Sequence, residues 1–149
     1  MATMSQKGLA LIQSFEGCRL VAYQDSSGVW TIGWGHTGLV DGASISPSMT
    51  ITQEKADQLL QADLLRFEQG VEGSLTHPAT QDQFDAFVAF SYNVGLGAFR
   101  GSTLLRLFNL GDPHGSALQF IEWSHDATGN VLLGLARRRC AEIVRFYGG

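Results

Sequence analysis

The sequence is poor in cysteine and in positive charge, and it contains no long apolar run. Its two cysteines, Cys18 and Cys140, are too few for a disulfide framework and lie outside any metal-ligand spacing. Ten Lys and Arg against fourteen Asp and Glu give a formal net charge of −4, which argues against nucleic-acid binding. No segment approaches the roughly 18 apolar residues of a membrane span, and the N-terminus lacks the features of a secretory signal. We therefore expect synthesis in the cytoplasm. We also expect both cysteines to be buried or half-buried free thiols, unless packing of the first helix on the last brings the two close enough for a disulfide.

Apolar periodicity and turn signals predict one helix, a small sheet and then a series of helices. Turn residues at 26–28 separate strand-like segments at 21–23 and 29–32, which indicates a hairpin. Helices are predicted over 5–16, about 53–72, 80–94, 102–110, 112–123 and 133–147, with Gly95, Gly97 and Gly101 breaking the chain. This order predicts the α+β class. We expect one domain over residues 1–149, with a small β lobe over about 17–55, a linking helix over about 53–72, and a larger helical lobe over about 74–149 that also includes helix 5–16.

Local signals place two of these helices more closely. Ser5 can cap the first helix, and Thr80 with Gln83 matches a capping box at the start of another. The segment 84–92 is apolar almost all round, which is typical of a helix at the centre of a core. The predicted apolar face of the first helix consists of Met4, Leu11, Ile12 and Phe15, with a gap at Gly8.

The last helix carries the only basic run, Arg137-Arg138-Arg139. A short run of this kind is typical of a solvated helix face. Arg138 precedes Glu142 by four residues, which predicts an ion pair on the surface. At helical spacing, the predicted apolar stripe of this helix consists of Ala136, Cys140, Ile143 and Tyr147.

Three side chains near the start of the chain have the groups that hydrolysis of a glycosidic bond needs. Glu16 and Asp25 offer an acid and a base or charge stabiliser, and the Thr31 hydroxyl can hold a water molecule. Glu16 ends the first helix beside apolar residues, where burial and the helix dipole would raise its pKa toward that of a general acid. Each residue alone also has a structural interpretation, as a solvated glutamate, a turn aspartate and a strand threonine.

The sequence around these residues resembles the phage-type lysozymes, or endolysins, of glycoside hydrolase family 24, and within them the endolysins of lambdoid phages. The family pattern of Glu, eight residues, Asp, five residues and Thr is matched without a gap. Further matching segments are Phe15-Glu16-Gly17, Ala22-Tyr23, Thr31-Ile32-Gly33-Trp34-Gly35-His36-Thr37, Gln83-Phe84-Asp85-Ala86, Tyr92-Asn93-Val94-Gly95, Ser102-Thr103-Leu104-Leu105 and Gly134-Leu135-Ala136-Arg137-Arg138-Arg139. The resemblance therefore spans nearly the whole chain.

The resemblance implies a lysozyme-like fold with a cleft between its lobes, and it implies a muramidase. Such an enzyme cuts the β-1,4 bond between N-acetylmuramic acid and N-acetylglucosamine in bacterial peptidoglycan. Glu16 would protonate the leaving oxygen, Asp25 would stabilise positive charge or help to activate water, and Thr31 would hold that water on the opposite face of the sugar. The family is thought to invert the anomeric centre, in keeping with widely separated carboxylates.

The resemblance also implies binding residues. An arginine of the last helix is expected to pair with Glu16, and we favour Arg137 over its two neighbours. Tyr92 and Asn93 match a segment that lines the sugar cleft, where an aromatic ring can stack and an amide can read N-acetyl groups. His36 is a further candidate for substrate binding, although a structural histidine paired with a carboxylate is the commoner role. No metal-ligand spacing is present, so no metal or other cofactor is implied.

Three alternatives stay open at this point. A lytic transglycosylase would act on the same substrate with a single glutamate and leave an anhydro end, although Asp25 and Thr31 argue against it. An inactive peptidoglycan-binding module is also possible, although the complete set of three residues argues against that. The biological role is either that of an endolysin, made in the host cytoplasm and acting on the wall from the periplasm, or that of an antibacterial effector with an immunity protein as partner. We expect a monomer.

Overall fold

The computed structural model describes residues 1–149 and has the α+β composition that the sequence predicts. Its elements are α1 (Gln6–Glu16), β1 (Arg19–Gln24), β2 (Trp30–Gly33), α2 (Gln53–Ser74), α3 (Gln81–Val94), α4 (Leu96–Arg100), α5 (Thr103–Asn109), α6 (Pro113–Gln119), a 3₁₀ helix (Phe120–Trp123) and α7 (Leu133–Phe146). None of the helices combines the length and the apolarity that crossing a membrane requires.

Two compact units make up the structure. The hairpin unit comprises Gln13–Arg66, and the helical unit comprises Met1–Ile12 together with Phe67–Gly149. The hairpin unit is therefore inserted, in sequence, between the two segments that form the helical unit. Helices α1 and α2 each contribute residues to both units.

The hairpin unit is organised by the antiparallel pair β1 and β2. Tyr23 lies opposite Thr31 and Gln24 opposite Trp30, while the pairing is irregular between Arg19 and Tyr23. A two-stranded hairpin alone is only marginally stable in water, so its apolar face needs a core to pack on. Here that core consists of Ala22, Ile32, Val40 and Ile45.

Helix α3 lies at the centre of the helical unit, as its apolar sequence predicts. The predicted capping box is confirmed, because Thr80 Oγ1 accepts from the Gln83 N–H at 3.1 Å and Gln83 Oε1 accepts from the Thr80 N–H at 2.9 Å. Every residue from Phe84 to Ser91 is buried. The Phe87 ring has its centroid 4.9 to 6.2 Å from those of Phe99, Phe108, Phe120 and Phe146.

The segment 2–5, which we call the N-terminal arm, is held to the helical unit by side chains. The N–H groups of Ala2, Met4 and Ser5 donate to the carboxylates of Glu72, Glu68 and Asp85 at 3.1, 2.9 and 3.0 Å, respectively. A segment outside any helix or sheet needs other partners for its backbone N–H groups. Three acidic side chains of α2 and α3 therefore take the place of a sheet partner.

The gap that Gly8 leaves on α1 is filled by Asp85. A Cβ atom at Gly8 would lie 2.6 Å from Asp85 Cγ, a distance at which atoms overlap. Asp85 is fully buried, and its carboxylate accepts from the Ser5 hydroxyl and from the Gln81 amide as well as from the Ser5 backbone. Ser5 Oγ also accepts from the Gly8 N–H at 3.2 Å, which confirms Ser5 as the cap of α1.

Helix α4 is absent from the sequence-based expectation, which treats this region only as a break. Gly95 does turn the chain, with φ at +95°, but a short helix starts directly after it. Leu96 and Phe99 of that helix are buried. Burial of two large apolar side chains outweighs the glycines, because helix propensity is a weak preference compared with packing.

The predicted solvated face of α7 is wrong, and so is its predicted apolar stripe. Two of the three arginines in the basic run are buried, and Cys140 and Tyr147 of the stripe are exposed. The buried residues of α7 are Arg138, Arg139, Glu142, Arg145 and Phe146. The cause is mutual compensation of charge: buried charged groups are tolerated when they pair with one another.

The individual pairs show this compensation. Arg138 Nε lies 3.7 Å from Glu142 Oε2, so the predicted pair exists but is buried instead of lying on the surface. Arg139 pairs with the same glutamate, and Arg145 pairs with Asp82 of α3. Charge thus marks the inner face of α7, and aromatic burial is limited to its C-terminal end.

The two cysteines are free thiols in the structure. Cys18 is half-buried, in keeping with the expectation for a free structural thiol. Cys140 is exposed, which corrects the expectation that it belongs to a buried stripe of α7.

Candidate active site

Glu16 is the last residue of α1, and its side chain is half-buried. Gly17 follows with φ at +65°, a conformation that suits glycine, and turns the chain into β1. Phe15 is 39% exposed, so the predicted apolar face does not continue through the last turn of α1. A Cβ atom at Gly35 would lie 3.5 Å from Glu16 Oε2, and φ at Gly35 is +88°. The backbone after β2 therefore passes beside the carboxyl group at a residue without a side chain.

Asp25 directly follows β1 and organises the hairpin turn. Its Oδ1 atom accepts from the N–H groups of Ser27 at 2.8 Å and Val29 at 2.9 Å. The backbone N–H of Asp25 donates to the Val29 carbonyl at 2.9 Å, which closes the loop. Asp25 is exposed, and its bonds to the turn all use Oδ1. The second carboxylate oxygen is therefore available to solvent or to a ligand.

Thr31 lies in β2 and is 4% exposed. Its hydroxyl donates to the Val29 carbonyl at 3.0 Å, so the oxygen lone pairs stay available as acceptors. Asp25 and Thr31 are thus both bonded to Val29, one to its N–H and one to its carbonyl. Glu16, Asp25 and Thr31 all belong to the hairpin unit.

A second loop of the chain has the same hydrogen-bonding pattern as the Asp25 turn. Asp126 Oδ1 accepts from the N–H groups of Thr128 at 2.9 Å and Asn130 at 3.0 Å. The Asp126 N–H donates to the Asn130 carbonyl at 2.9 Å. These bonds, above all that from the Thr128 hydroxyl, lower the pKa of Asp126. Because the helical unit holds the same loop, turn geometry alone does not distinguish Asp25 as a functional residue.

His36 is buried, and both of its ring nitrogens contact protein groups. Nδ1 lies 2.8 Å from Asp63 Oδ2, and Nε2 lies 2.9 Å from the Leu39 carbonyl, to which it donates. A ligand would have to displace one of these partners to reach the ring. This geometry favours the structural interpretation of His36, with Asp63 of α2 as the carboxylate. No three His, Cys, Asp or Glu side chains are grouped so as to hold a metal ion.

Tyr92, Asn93 and Arg137 belong to the helical unit. The Tyr92 ring is half-buried and packs edge-on against Phe67, with centroids 5.2 Å apart. Asn93 and Arg137 are exposed. Asn93 Oδ1 accepts from Arg139 Nη2 at 2.6 Å. The structure therefore connects one predicted binding residue, Asn93, to the buried face of α7.

The buried pair of Arg139 and Glu142 is the feature of this region that sequence reasoning misses. Arg139 Nε lies 2.6 Å from Glu142 Oε1, and neither side chain is exposed. Burial raises the pKa of Glu142 to about 7, although Arg139 and Arg138 oppose that rise. Burial likewise lowers the pKa of Arg139. The only signal in the sequence is the spacing of three residues, which surface pairs share.

The raised pKa of Glu142 predicts that this residue makes the protein less stable as pH rises from about 4.5 to about 7. In this window the unfolded chain loses the Glu142 proton while the folded protein keeps it, so ionisation favours unfolding. We expect the free energy of unfolding of the wild type, relative to Glu142→Gln, to fall by up to about 1.4 kcal/mol per pH unit. Urea unfolding of both proteins at pH 4.5, 6 and 8 measures this difference. A difference that stays constant with pH would contradict the prediction.

Comparisons with known proteins find similar sequences and similar structures. The family model described as phage lysozyme matches residues 13–142. An endolysin of Bacillus phage B103 is 43% identical over 148 residues, which cover 98% of this chain but 54% of that protein, so the chain spans about half the length of this relative. A crystal structure of a lysozyme mutant of phage P22 has a TM-score of 0.93 at 39% identity and covers 99% of this chain and 100% of that one. A muramidase domain of SpmX from Asticaccaulis excentricus has a TM-score of 0.88 at 38% identity, covering both chains in full.

Proposed function

Because the chain belongs to the phage lysozyme family, we propose that it is a muramidase that hydrolyses the β-1,4 bond between N-acetylmuramic acid and N-acetylglucosamine in peptidoglycan. The observation that supports this most is that Asp25 and Thr31 bond to the same residue of the hairpin, Val29, one to its N–H and one to its carbonyl. Glu16 supplies a second carboxyl group from the same unit, at the end of α1.

The proposed reaction is a single displacement by water. Glu16 gives its proton to the glycosidic oxygen as the bond from that oxygen to the anomeric carbon breaks. A water molecule attacks the same carbon from the opposite face, and its proton passes to a base. Asp25, through the oxygen that the turn leaves available, stabilises the positive charge on the sugar and accepts this proton.

Thr31 is proposed to orient the attacking water. Its hydroxyl hydrogen is committed to the Val29 carbonyl, so its oxygen can act toward water only as an acceptor. A water that donates one hydrogen to Thr31 and another to Asp25 would direct a lone pair away from both. That arrangement suits attack on an anomeric carbon and inversion of its configuration.

Residues of the helical unit are proposed to bind the glycan. The Tyr92 ring offers an apolar face for a sugar, Asn93 offers an exposed amide, and Arg137 offers an exposed positive charge. His36 takes an indirect part, because its contacts with Asp63 and Leu39 hold the segment after β2.

The proposed biological role is lysis of a bacterial host at the end of a phage infection. Relatives at 43% and 41% identity, from Bacillus phage B103 and Salmonella phage P22, carry the name endolysin. The site would then act on the cell wall after synthesis in the host cytoplasm. An antibacterial effector, with an immunity protein as partner, would use the same chemistry. The genes that surround the coding sequence distinguish the effector role from the endolysin role.

The test is digestion of purified peptidoglycan with analysis of the new ends. We expect new reducing ends of N-acetylmuramic acid, and we expect the α-anomer to form first, because inversion of a β-bond gives an α-product. Rapid NMR of the products, before mutarotation, distinguishes the anomers. Anhydro ends would instead indicate a transglycosylase, and binding to peptidoglycan without new ends would indicate an inactive module. An initial β-anomer would contradict the proposed inversion of configuration but not the proposed hydrolysis.

A further inference from the structure

A fully buried arginine of the helical unit reaches an exposed residue of the proposed binding surface. Arg139 of α7 has no exposed side-chain surface, whereas Asn93 of α3 is exposed. Arg139 Nη2 donates to Asn93 Oδ1 at 2.6 Å. Burying a guanidinium is costly, so a buried arginine whose group ends at the edge of the solvent needs an explanation.

The guanidinium is held on several sides. Nε and Nη2 contact the two oxygens of Glu142 at 2.6 and 3.2 Å. Nη1 points to the Trp123 carbonyl at 3.5 Å, and the Phe90 ring centroid lies 5.1 Å from Cζ. A planar group with a two-oxygen partner and an aromatic neighbour has little freedom to turn. The direction of the bond to Asn93 is therefore fixed from within the core.

The bond to Arg139 also decides which way the Asn93 amide faces. A guanidinium has only donors, so it must contact the amide oxygen and never the amide nitrogen. With Oδ1 turned toward Arg139, the NH₂ group of Asn93 is the part left to meet a ligand. An asparagine without this partner could present either its oxygen or its nitrogen.

We propose that Arg139 is a positioning residue that fixes Asn93 as a donor to the acetamido carbonyl oxygen of a bound N-acetylated sugar. The inference rests on the proposed function, since it assigns a role within the glycan-binding surface. Every residue of a chitin or peptidoglycan strand carries an N-acetyl group, and its carbonyl oxygen is an acceptor that a fixed N–H group can select. Arg139 itself stays buried and does not touch the substrate.

The decisive variant is Asn93→Asp, which keeps the contact with Arg139 and reverses the outward-facing chemistry. The carboxylate would form a charge-assisted bond with the guanidinium, so stability should not fall. The outward-facing carboxylate oxygen would then meet the acetamido oxygen of the sugar, and two acceptors cannot form a hydrogen bond. We therefore expect KM for peptidoglycan to rise roughly tenfold to a hundredfold. Asn130→Asp is the control, because it adds the same charge at an exposed loop residue of the same unit. An unchanged KM in Asn93→Asp would overturn the proposal.

A second measurement tests the positioning role without catalysis. In isotope-labelled wild-type protein, the Asn93 side-chain amide signals should be those of a rigid group and should shift on titration with a soluble N-acetylglucosamine oligomer. In Arg139→Lys, which cannot contact Glu142 and Asn93 in the same fork, the signals should become those of a mobile group and the shift should weaken. Signals that are equally rigid and shift equally in both proteins would overturn the positioning role.

The two tests separate this inference from the proposed function. If the wild type binds the oligomer through Asn93 but releases no reducing ends, the muramidase activity fails and the positioning role stands. If the wild type is active but Asn93→Asp has an unaltered KM, the activity stands and the positioning role fails. Should Arg139→Lys not fold, the wild-type protein decides the positioning role, because Asn93 amide signals of a mobile group would overturn it.

Discussion

Glu16→Gln is expected to lower the rate of peptidoglycan hydrolysis by roughly 10³-fold. Glutamine has nearly the shape of glutamate but no proton to give to the glycosidic oxygen, so the leaving group would depart as an alkoxide. The half-buried place of Glu16 at the end of α1 should accept the amide without loss of fold. Release of reducing ends from purified peptidoglycan, measured at matched protein concentrations and compared with thermal unfolding, gives the result.

The control for this variant is Glu54→Gln. Glu54 is an exposed residue in the first turn of α2 and belongs to the same unit, so its loss changes the net charge equally. We expect it to keep the wild-type rate. If Glu16→Gln were as active as Glu54→Gln, Glu16 could not be the acid, and another carboxyl group would have to take that role.

Asp25→Asn is expected to lower the rate by about 10²-fold or more, through charge alone. The turn uses only Oδ1 of Asp25, as an acceptor from Ser27 and Val29, and an asparagine oxygen can accept the same two bonds. The hairpin should therefore fold, and Thr31 should keep its bond to the Val29 carbonyl. What is lost is the negative charge that faces the developing cation, together with the base that takes the proton of water.

The chain itself supplies the matched control, Asp126→Asn. Asp126 forms a loop with the same hydrogen bonds, so this substitution tests the structural cost of an amide at that place in such a loop. Because the loop lowers the pKa of Asp126, the ionised carboxylate stabilises the folded protein. We therefore expect Asp126→Asn to be less stable than the wild type at pH values above the ordinary pKa of aspartate. Activity should be kept. Equal loss of activity in both variants would mean that loop folding, and not the Asp25 charge, matters.

The elements of the fold could be predicted wherever local chemistry decides the structure. Ser5 and Thr80 predict the starts of two helices, because a hydroxyl at the cap position accepts from an N–H group of the first turn. The apolar run of α3 predicts its central place because no face of that helix could remain in water. The hairpin is equally local, since its turn residues lie between two strand-forming segments.

The inner face of α7 could not be predicted in this way. Periodicity assigns charged residues to solvent, and in α7 the charged residues are the buried ones. Arg145 is buried because Asp82, 63 positions earlier, lies opposite it. Asp85 is buried because it holds Ser5, 80 positions away. Partners so distant in sequence leave no local pattern, so both the burial and the pairing appear only in the folded chain.

In the candidate site too, residues close in sequence could be predicted, and contacts between residues distant in sequence could not. Glu16, Asp25 and Thr31 form a short linear pattern, and the sequence can identify them together. The contact of His36 with Asp63 joins residues 27 positions apart, and that of Arg139 with Asn93 joins residues 46 apart. The supporting contacts of the site are therefore the part that sequence reasoning leaves out, although its reactive groups are visible.

The bonds of the N-terminal arm impose an order on folding during translation. The arm emerges from the ribosome before its carboxylate partners at Glu68, Glu72 and Asp85, so its bonds cannot all form until α3 has been synthesised. The hairpin unit has its own core within residues 13–66 and can begin to form earlier. Slowing translation between these points would lengthen the time for which the arm is open to proteases.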